Sequence, residues 1–245
     1  TISIPRPGFD QAIGIEDACS QCHSEMSVDQ LQEQVRVWWG EVKPHKLIVR
    51  AIAQDNIGTT ELVAALQNSE QFHTAQAAAL ARLLEEKLEP DMPTLEQNLQ
   101  SALESLAASA DLDVRALALA ALHLSADLDD DVHNLLGKSL DTAGDDEWKL
   151  RKRWAIALAQ RGEEYRNEEN WPFAKRLFEK AVEIWPDHPP TLQNLALTLR
   201  LSGDVAGAIS LYQKVISLSR QNAEAYVNLG LSFLTQGDEV LSLIH

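Results

Sequence analysis

The sequence predicts an all-α fold: an α-solenoid of stacked helical hairpins behind an irregular N-terminal segment. Three observations predict it. From residue 46 onward, Ala/Leu-rich stretches of helical period alternate with short polar breaks. Through the last third, residues of packing type recur every 34 positions, as in the series Leu158, Leu192 and Tyr226. The chain of 245 residues is 45% hydrophobic and 24% charged, an ordinary globular composition with ample material for a core.

Taken in order, residues 1–26 read as irregular, because Pro5, Pro7, Gly8 and Gly14 interrupt any period. Ser27 followed by Gln30 is a capping-box pattern, and Val28, Leu31, Val35 and Trp38 recur at helical spacing. Gly40 is a natural stop, so a helix is expected over 28–39. "EVKPH" is a break, since the residue before Pro44 is biased out of the helical region. Beyond it, "HTAQAAALARL", "DVRALALAALHL" and "KLRKRWAIALAQ" resemble one another, with Thr74, Val114 and Leu150 as equivalent points 40 and 36 residues apart. That irregular period resembles HEAT-type helical hairpins. The division expected is 1–45, 46–154 and 155–245.

The last third is the most regular. "AEAYVNLGLSFLTQGD" at 223–238 resembles the first helix and turn of a tetratricopeptide repeat. One period back, Leu192, Leu195, Ala196, Leu199, Gly203, Ala208, Tyr212 and Val215 fall where that repeat places its large and small packing residues. A further period back, Leu158, Gly162, Tyr165, Ala174, Phe178, Ala181 and Pro186 do the same. Small residues let paired helices approach, and large ones fill between them. The third repeat is incomplete: "EVLSLIH" is expected to enter a second helix and stop at His245. The end reads first as an unnatural stop, second as a face for another chain.

Both cysteines of the chain stand in "DACSQCHSEM" at 17–26. C-x-x-C-H is the attachment signature of c-type haem: two thiols add to the two vinyl groups on one porphyrin edge, and the next imidazole lies under the ring. Cys19 and Cys22 are then the thioether anchors of one haem c per chain, and His23 the proximal iron ligand. A zinc site needs four ligands, and no second cysteine pair or closely spaced histidine pair exists. A thioredoxin-like dithiol expects a βαβ setting that is missing around this motif.

His45 is the nearest other histidine and reads either as the distal ligand or as an exposed loop histidine. A helix rising about 18 Å separates it from His23, so the chain must fold back. Met26 starts on the same haem face and reads as a contact to the ring edge or helix start. His73, His123 and His133 lie in or beside helices and read as surface or packing residues. Trp38 is expected on the apolar face of its helix, and Trp148, Trp154, Trp171 and Trp185 in helix packing. "DLDDDVH" lacks the glycine and terminal glutamate of an EF-hand loop and reads as a helix start.

A formal net charge of −16 repels phosphate backbones and anionic lipid, so nucleic-acid and membrane-surface binding are poor expectations. No apolar run approaches the roughly 18 residues that span a bilayer. The first residue is Thr1, and "TISIPRPGFD" has no n-region followed by an apolar core, so an export signal is expected to have been removed or the chain to belong to something longer.

"ACSQCHSEM…QVRVWWGEVKPH", followed by Ala/Leu-rich hairpins and tetratricopeptide-like repeats, resembles the C-terminal part of multihaem c-type cytochromes with a helical-repeat tail. The resemblance implies haem at Cys19, Cys22 and His23, with His45 as ligand or haem neighbour. It also implies a periplasmic or extracellular location and electron transfer rather than catalysis. Expected partners are redox proteins or neighbouring haem subunits, with a homo-oligomer among them. The departure is that this chain holds one C-x-x-C-H where the family carries several. A haem-free interaction scaffold and a fragment of a multihaem reductase are the alternative readings.

Overall fold

A computed structural model describes residues 5–12, 18–41, 58–67, 73–90, 95–124, 130–142 and 144–244. The protein is an all-α solenoid, and the described residues contain no strand. It divides into two compact units, Thr1–Ala79 and Leu80–His245.

In the first unit, two short helices, α1 (Pro7–Ala12) and α2 (Ala18–Cys22), pack against α3 (Val28–Trp39). The segment read as irregular therefore carries helix. Pro7 opens α1 with its φ already set for a first helical turn, and it is buried. The Gly8 amide donates to Gln32 Oε1 at 3.2 Å, fastening α1 to α3. The helix expected over 28–39 forms with those bounds. Ser27 Oγ accepts from the Gln30 amide, the Gln30 side chain accepts from the Ser27 amide at 2.8 Å, and Gly40 stops the helix at φ 77°. Leu31 and Val35 are buried along its inner face. Then α4 (Thr59–Gln67) runs to the start of α5 (His73–Glu86), with Gln76 Nε2 donating to the Leu66 carbonyl at 3.1 Å. The division between units falls within α5.

The second unit continues with α6 (Gln97–Leu106), α7 (Leu112–Leu124), α8 (Asp130–Asp141) and α9 (Glu147–Asn167). Helix α9 pairs with α10 (Trp171–Ile184), α11 (Pro189–Leu201) pairs with α12 (Val205–Leu218), and α13 (Ala223–Ile244) follows. Each helix from α9 on packs against the next. Helix α9 is unbroken across position 154/155. The 34-residue register describes the core directly: Leu158, Gly162, Tyr165, Ala174, Phe178 and Ala181 are buried in α9 and α10. Their counterparts Leu192, Ala196, Leu199, Ala208, Tyr212 and Val215 are buried in α11 and α12. A Cβ built on Gly162 would lie 3.0 Å from the Phe178 ring, so a hydrogen there sets how closely α9 and α10 approach.

The turns repeat with the same period. Glu169 and Gly203 both take positive φ, 59° and 95°, and the next amides, Asn170 and Asp204, each donate to a carbonyl five residues back at 2.8 Å. Asn170 and Asp204 then cap the following helices, their side chains accepting from the Phe173 and Gly207 amides. Gly237–Asp238 repeats the Gly203–Asp204 dipeptide, yet α13 runs through it without a turn. The expected break in the third repeat is therefore corrected. A positive-φ turn of this kind is held by the return helix packing on its predecessor.

Cations tie the helix C-terminal ends together. Lys180 donates to the His123 carbonyl, Arg151 to the Ile184 carbonyl at 3.2 Å, and Lys214 to the Pro186 carbonyl at 2.8 Å. Trp154 and His123 are buried edge to face, 5.5 Å between centroids, and His123 Nε2 is 3.7 Å from a Glu183 carboxylate oxygen. Trp148 departs from expectation. It lies in the first turn of α9 and is exposed.

Two predictions follow from this packing. Gly162→Leu overfills the α9–α10 contact and is expected to cost about 1–3 kcal/mol, read by chemical or thermal unfolding. Burial foremost, and then the Arg176 guanidinium, lowers Lys180 from its usual 10.5 to about 8, with Glu183 opposing. The folded chain thus binds fewer protons than the unfolded chain between those values, so this group's contribution to stability rises with pH through that window. The melting temperature of the parent relative to Lys180→Met is expected to rise between about pH 7 and pH 10. An unchanged difference would place the Lys180 ammonium in water.

Candidate functional site

The site is built from α2, the turn after it and one face of α3. Helix α2 is little more than one turn, and Cys19 and Cys22 sit three residues apart on it, hence on one side. The His23 amide donates to the Cys19 carbonyl at 2.8 Å, which carries the turn one residue further and sets His23 directly behind Cys22. The Met26 amide then donates to the His23 carbonyl at 3.0 Å, bending the chain into the Ser27 cap of α3.

These residues border an open pocket of about 330 Å³, lined by Cys19, Cys22, His23 and Met26 on one side and Leu31, Gln34, Val35 and Trp38 on the other. The second group has the spacing i, i+3, i+4, i+7, one stripe of α3. Its inner members Leu31 and Val35 are buried and form the floor, while Trp38 is 63% exposed and stands at the rim. Trp38 is thus no core residue: it walls the pocket and meets Trp39 edge to face at 5.4 Å. Both cysteines are thiols, Cys19 half-buried and Cys22 exposed.

Charge is kept off the pocket wall. The Glu33–Arg36 pair (Nη2 to Oε1, 2.7 Å) and Arg36–Glu41 (3.5 Å) engage exposed side chains that are not among those lining the pocket. The hydrogen bond from Arg36 lowers the Glu33 carboxyl below its usual range. The Glu25 carboxylate stands beside the pocket's His23, its Oε1 3.8 Å from His23 Nδ1.

Cys19, Cys22 and His23 are therefore brought to one pocket. His45 lies outside the described residues. His73 begins α5 and is exposed, His123 is a core residue, and the side chain of His133 is outside those described. Among the described residues, no three His, Cys, Asp or Glu side chains converge to hold a bare metal ion. The donor set suits a flat, largely apolar ligand held at one edge: two thiols, an imidazole and a thioether facing aliphatic and indole surface. Gln34 and Trp38 were not foreseen as pocket residues. The signal was present, since both share the stripe that begins at Leu31.

Comparison with known proteins bears on the other end of the chain. Residues 196–237 match the TPR repeat family, a span from mid-α11 into α13. Among solved structures, the chain is similar to the TPR2AB-domain:pHSP90-complex of yeast Sti1, at 13% identity and a TM-score of 0.35, over 96% of this chain and 86% of that one. No curated protein matches. The C-terminal third is a helical-repeat array that is TPR-like over 196–237, and no described helix is long and apolar enough to cross a membrane.

The pocket geometry predicts unequal thiols. In the haem-free chain, a limiting pulse of iodoacetamide is expected to label Cys22 severalfold ahead of Cys19, read by peptide mass. Equal labelling would show Cys19 to be as open as Cys22.

Proposed function

We propose that the protein is a helical-repeat interaction scaffold that carries one covalently bound haem and exchanges single electrons with the partner it holds. The observation that carries the haem reading is the convergence of Cys19, Cys22 and His23 on one open, apolar pocket. Adding each S–H across a vinyl C=C forms a thioether with no atom lost, so two thiols on one side of a helical turn suffice to fix the ring edge. His23 would hold the iron through a ring nitrogen. Leu31, Val35 and Trp38 keep water from the ring face, and the Gln34 amide is the polar group on that wall. When bound, the haem supplies an iron that takes up and releases one electron. His45 would be the second side chain to hold the iron, and an iron held by two side chains would offer a substrate no open position. Attachment of haem c places the proposed site of action in the periplasm or outside the cell.

A haem-free scaffold is the second reading, favoured by the TPR match at 196–237. It shares the partner-binding role, since repeat arrays of this kind present extended surfaces to other proteins.

Intact mass and a pyridine haemochrome spectrum separate the two. Protein matured in an export-competent host is expected to keep one haem mass after denaturation, and Cys19→Ala/Cys22→Ala to lose it. A bare polypeptide mass despite competent maturation would overturn the haem reading and leave the scaffold.

A further inference from the structure

The turn that follows C-x-x-C-H places a carboxylate against the ring of His23. Residues 23–26, His-Ser-Glu-Met, form a four-residue turn closed by the Met26 amide donating to the His23 carbonyl at 3.0 Å. Its start is fixed by the His23 amide, which donates to the Cys19 carbonyl at 2.8 Å. Its end is fixed by the Ser27–Gln30 capping box that opens α3. Glu25 is the third residue of this turn, and its Oε1 comes to 3.8 Å from His23 Nδ1. That is longer than a hydrogen bond. Both side chains are exposed, so rotation of the Glu25 side chain can close the gap without repacking.

The contact is one-sided. His23 lines the pocket and Glu25 does not. The nitrogen that meets the carboxylate is Nδ1, which leaves Nε2 as the other atom of the ring able to ligate. A neutral imidazole carries one N–H and one lone pair. A carboxylate beside Nδ1 therefore favours the tautomer with the proton there and the lone pair on Nε2. Two other carboxylates around α3, Glu33 and Glu41, are paired with Arg36 at 2.7 and 3.5 Å. Their charge is offset, whereas that of Glu25 is turned to the ring.

We infer that Glu25 is the positioning residue of His23: its carboxylate holds the Nδ1 proton, presents the Nε2 lone pair to the iron and makes the imidazole a stronger donor. The inference rests on the haem reading above. A carboxylate behind a metal-bound imidazole raises the basicity of the ring. A more basic ligand favours the more highly charged, oxidised iron, so Glu25 lowers the reduction potential of the site.

Two variants of the full chain test it: Glu25→Ala, and Asp29→Asn, which removes an exposed acidic charge from the first turn of α3. In haem-loaded protein poised at one fixed potential, Glu25→Ala is expected to lower the oxidised-to-reduced ratio about threefold, the scale of an exposed charge contact, and Asp29→Asn to fall well short of that. In the haem-free chain at about pH 9, above the ordinary imidazole range, nitrogen NMR is expected to find more of the His23 proton on Nδ1 in the parent than in Glu25→Ala. Both changes together support the assignment. A shift that is absent, or equal in the two variants, would make Glu25 one surface charge among many and overturn it. So would an unchanged tautomer in a chain that does carry haem, which leaves the haem reading standing. A parent without haem by intact mass would overturn that reading and this inference with it.

Discussion

The close approach of paired helices is the constraint on which the C-terminal half depends. At Gly162 the gap to the Phe178 ring admits a hydrogen and little else. Because α9 and α10 meet there, the residues one turn away on either side, Leu158 and Tyr165, are buried, and Tyr165 meets Phe173 of α10 edge to face. The step is then copied 34 residues on with Ala196 and Tyr212. Interiors pack at crystal-like density, so one small residue opposite one large one sets the helix separation for every neighbour along the pair. The cationic contacts to helix-end carbonyls, Arg151 on Ile184 and Lys214 on Pro186, assume that separation rather than create it.

This dependence explains what could be read from the chain in advance. Helix existence and the buried set of the repeats were legible, because both follow from periodicity that local side-chain size makes visible. The bounds of α3 were legible because its cap chemistry is local, in Ser27, Gln30 and Gly40. The course of the chain at Gly237–Asp238 was not. The same dipeptide turns at 203–204 and stays helical at 237–238, so the dipeptide alone does not encode the turn. The short helices α1 and α2 were hidden for a related reason: at six and five residues they are stabilised by packing on α3, and neither has a period long enough to see.

At the N-terminal site the division is similar. C-x-x-C-H is legible because its chemistry needs only adjacent residues. The pocket it faces is not, because its far wall belongs to another helix. Trp38 shows the difference most clearly: the spacing that marks it as apolar-facing is correct, but the face it shares is floor at Leu31 and Val35 and open rim at Trp38. Apolar periodicity specifies a stripe without saying where along it the cover ends.

Charge distribution connects the two ends. A net charge of −16 makes any encounter between copies, or with another acidic protein, repulsive at long range. At about 0.1 M salt that field decays over about 10 Å, so its effect at a contact depends on charges within that distance. Among the described residues, two stretches with open apolar character hold no acidic side chain. The eight side chains lining the pocket include no carboxylate, and residues 225–235 include none either. Burial of apolar surface is the available driving force at both, and it acts only once surfaces touch. An acidic exterior with neutral apolar surface in places therefore disfavours indiscriminate association and leaves contact geometry to decide what binds.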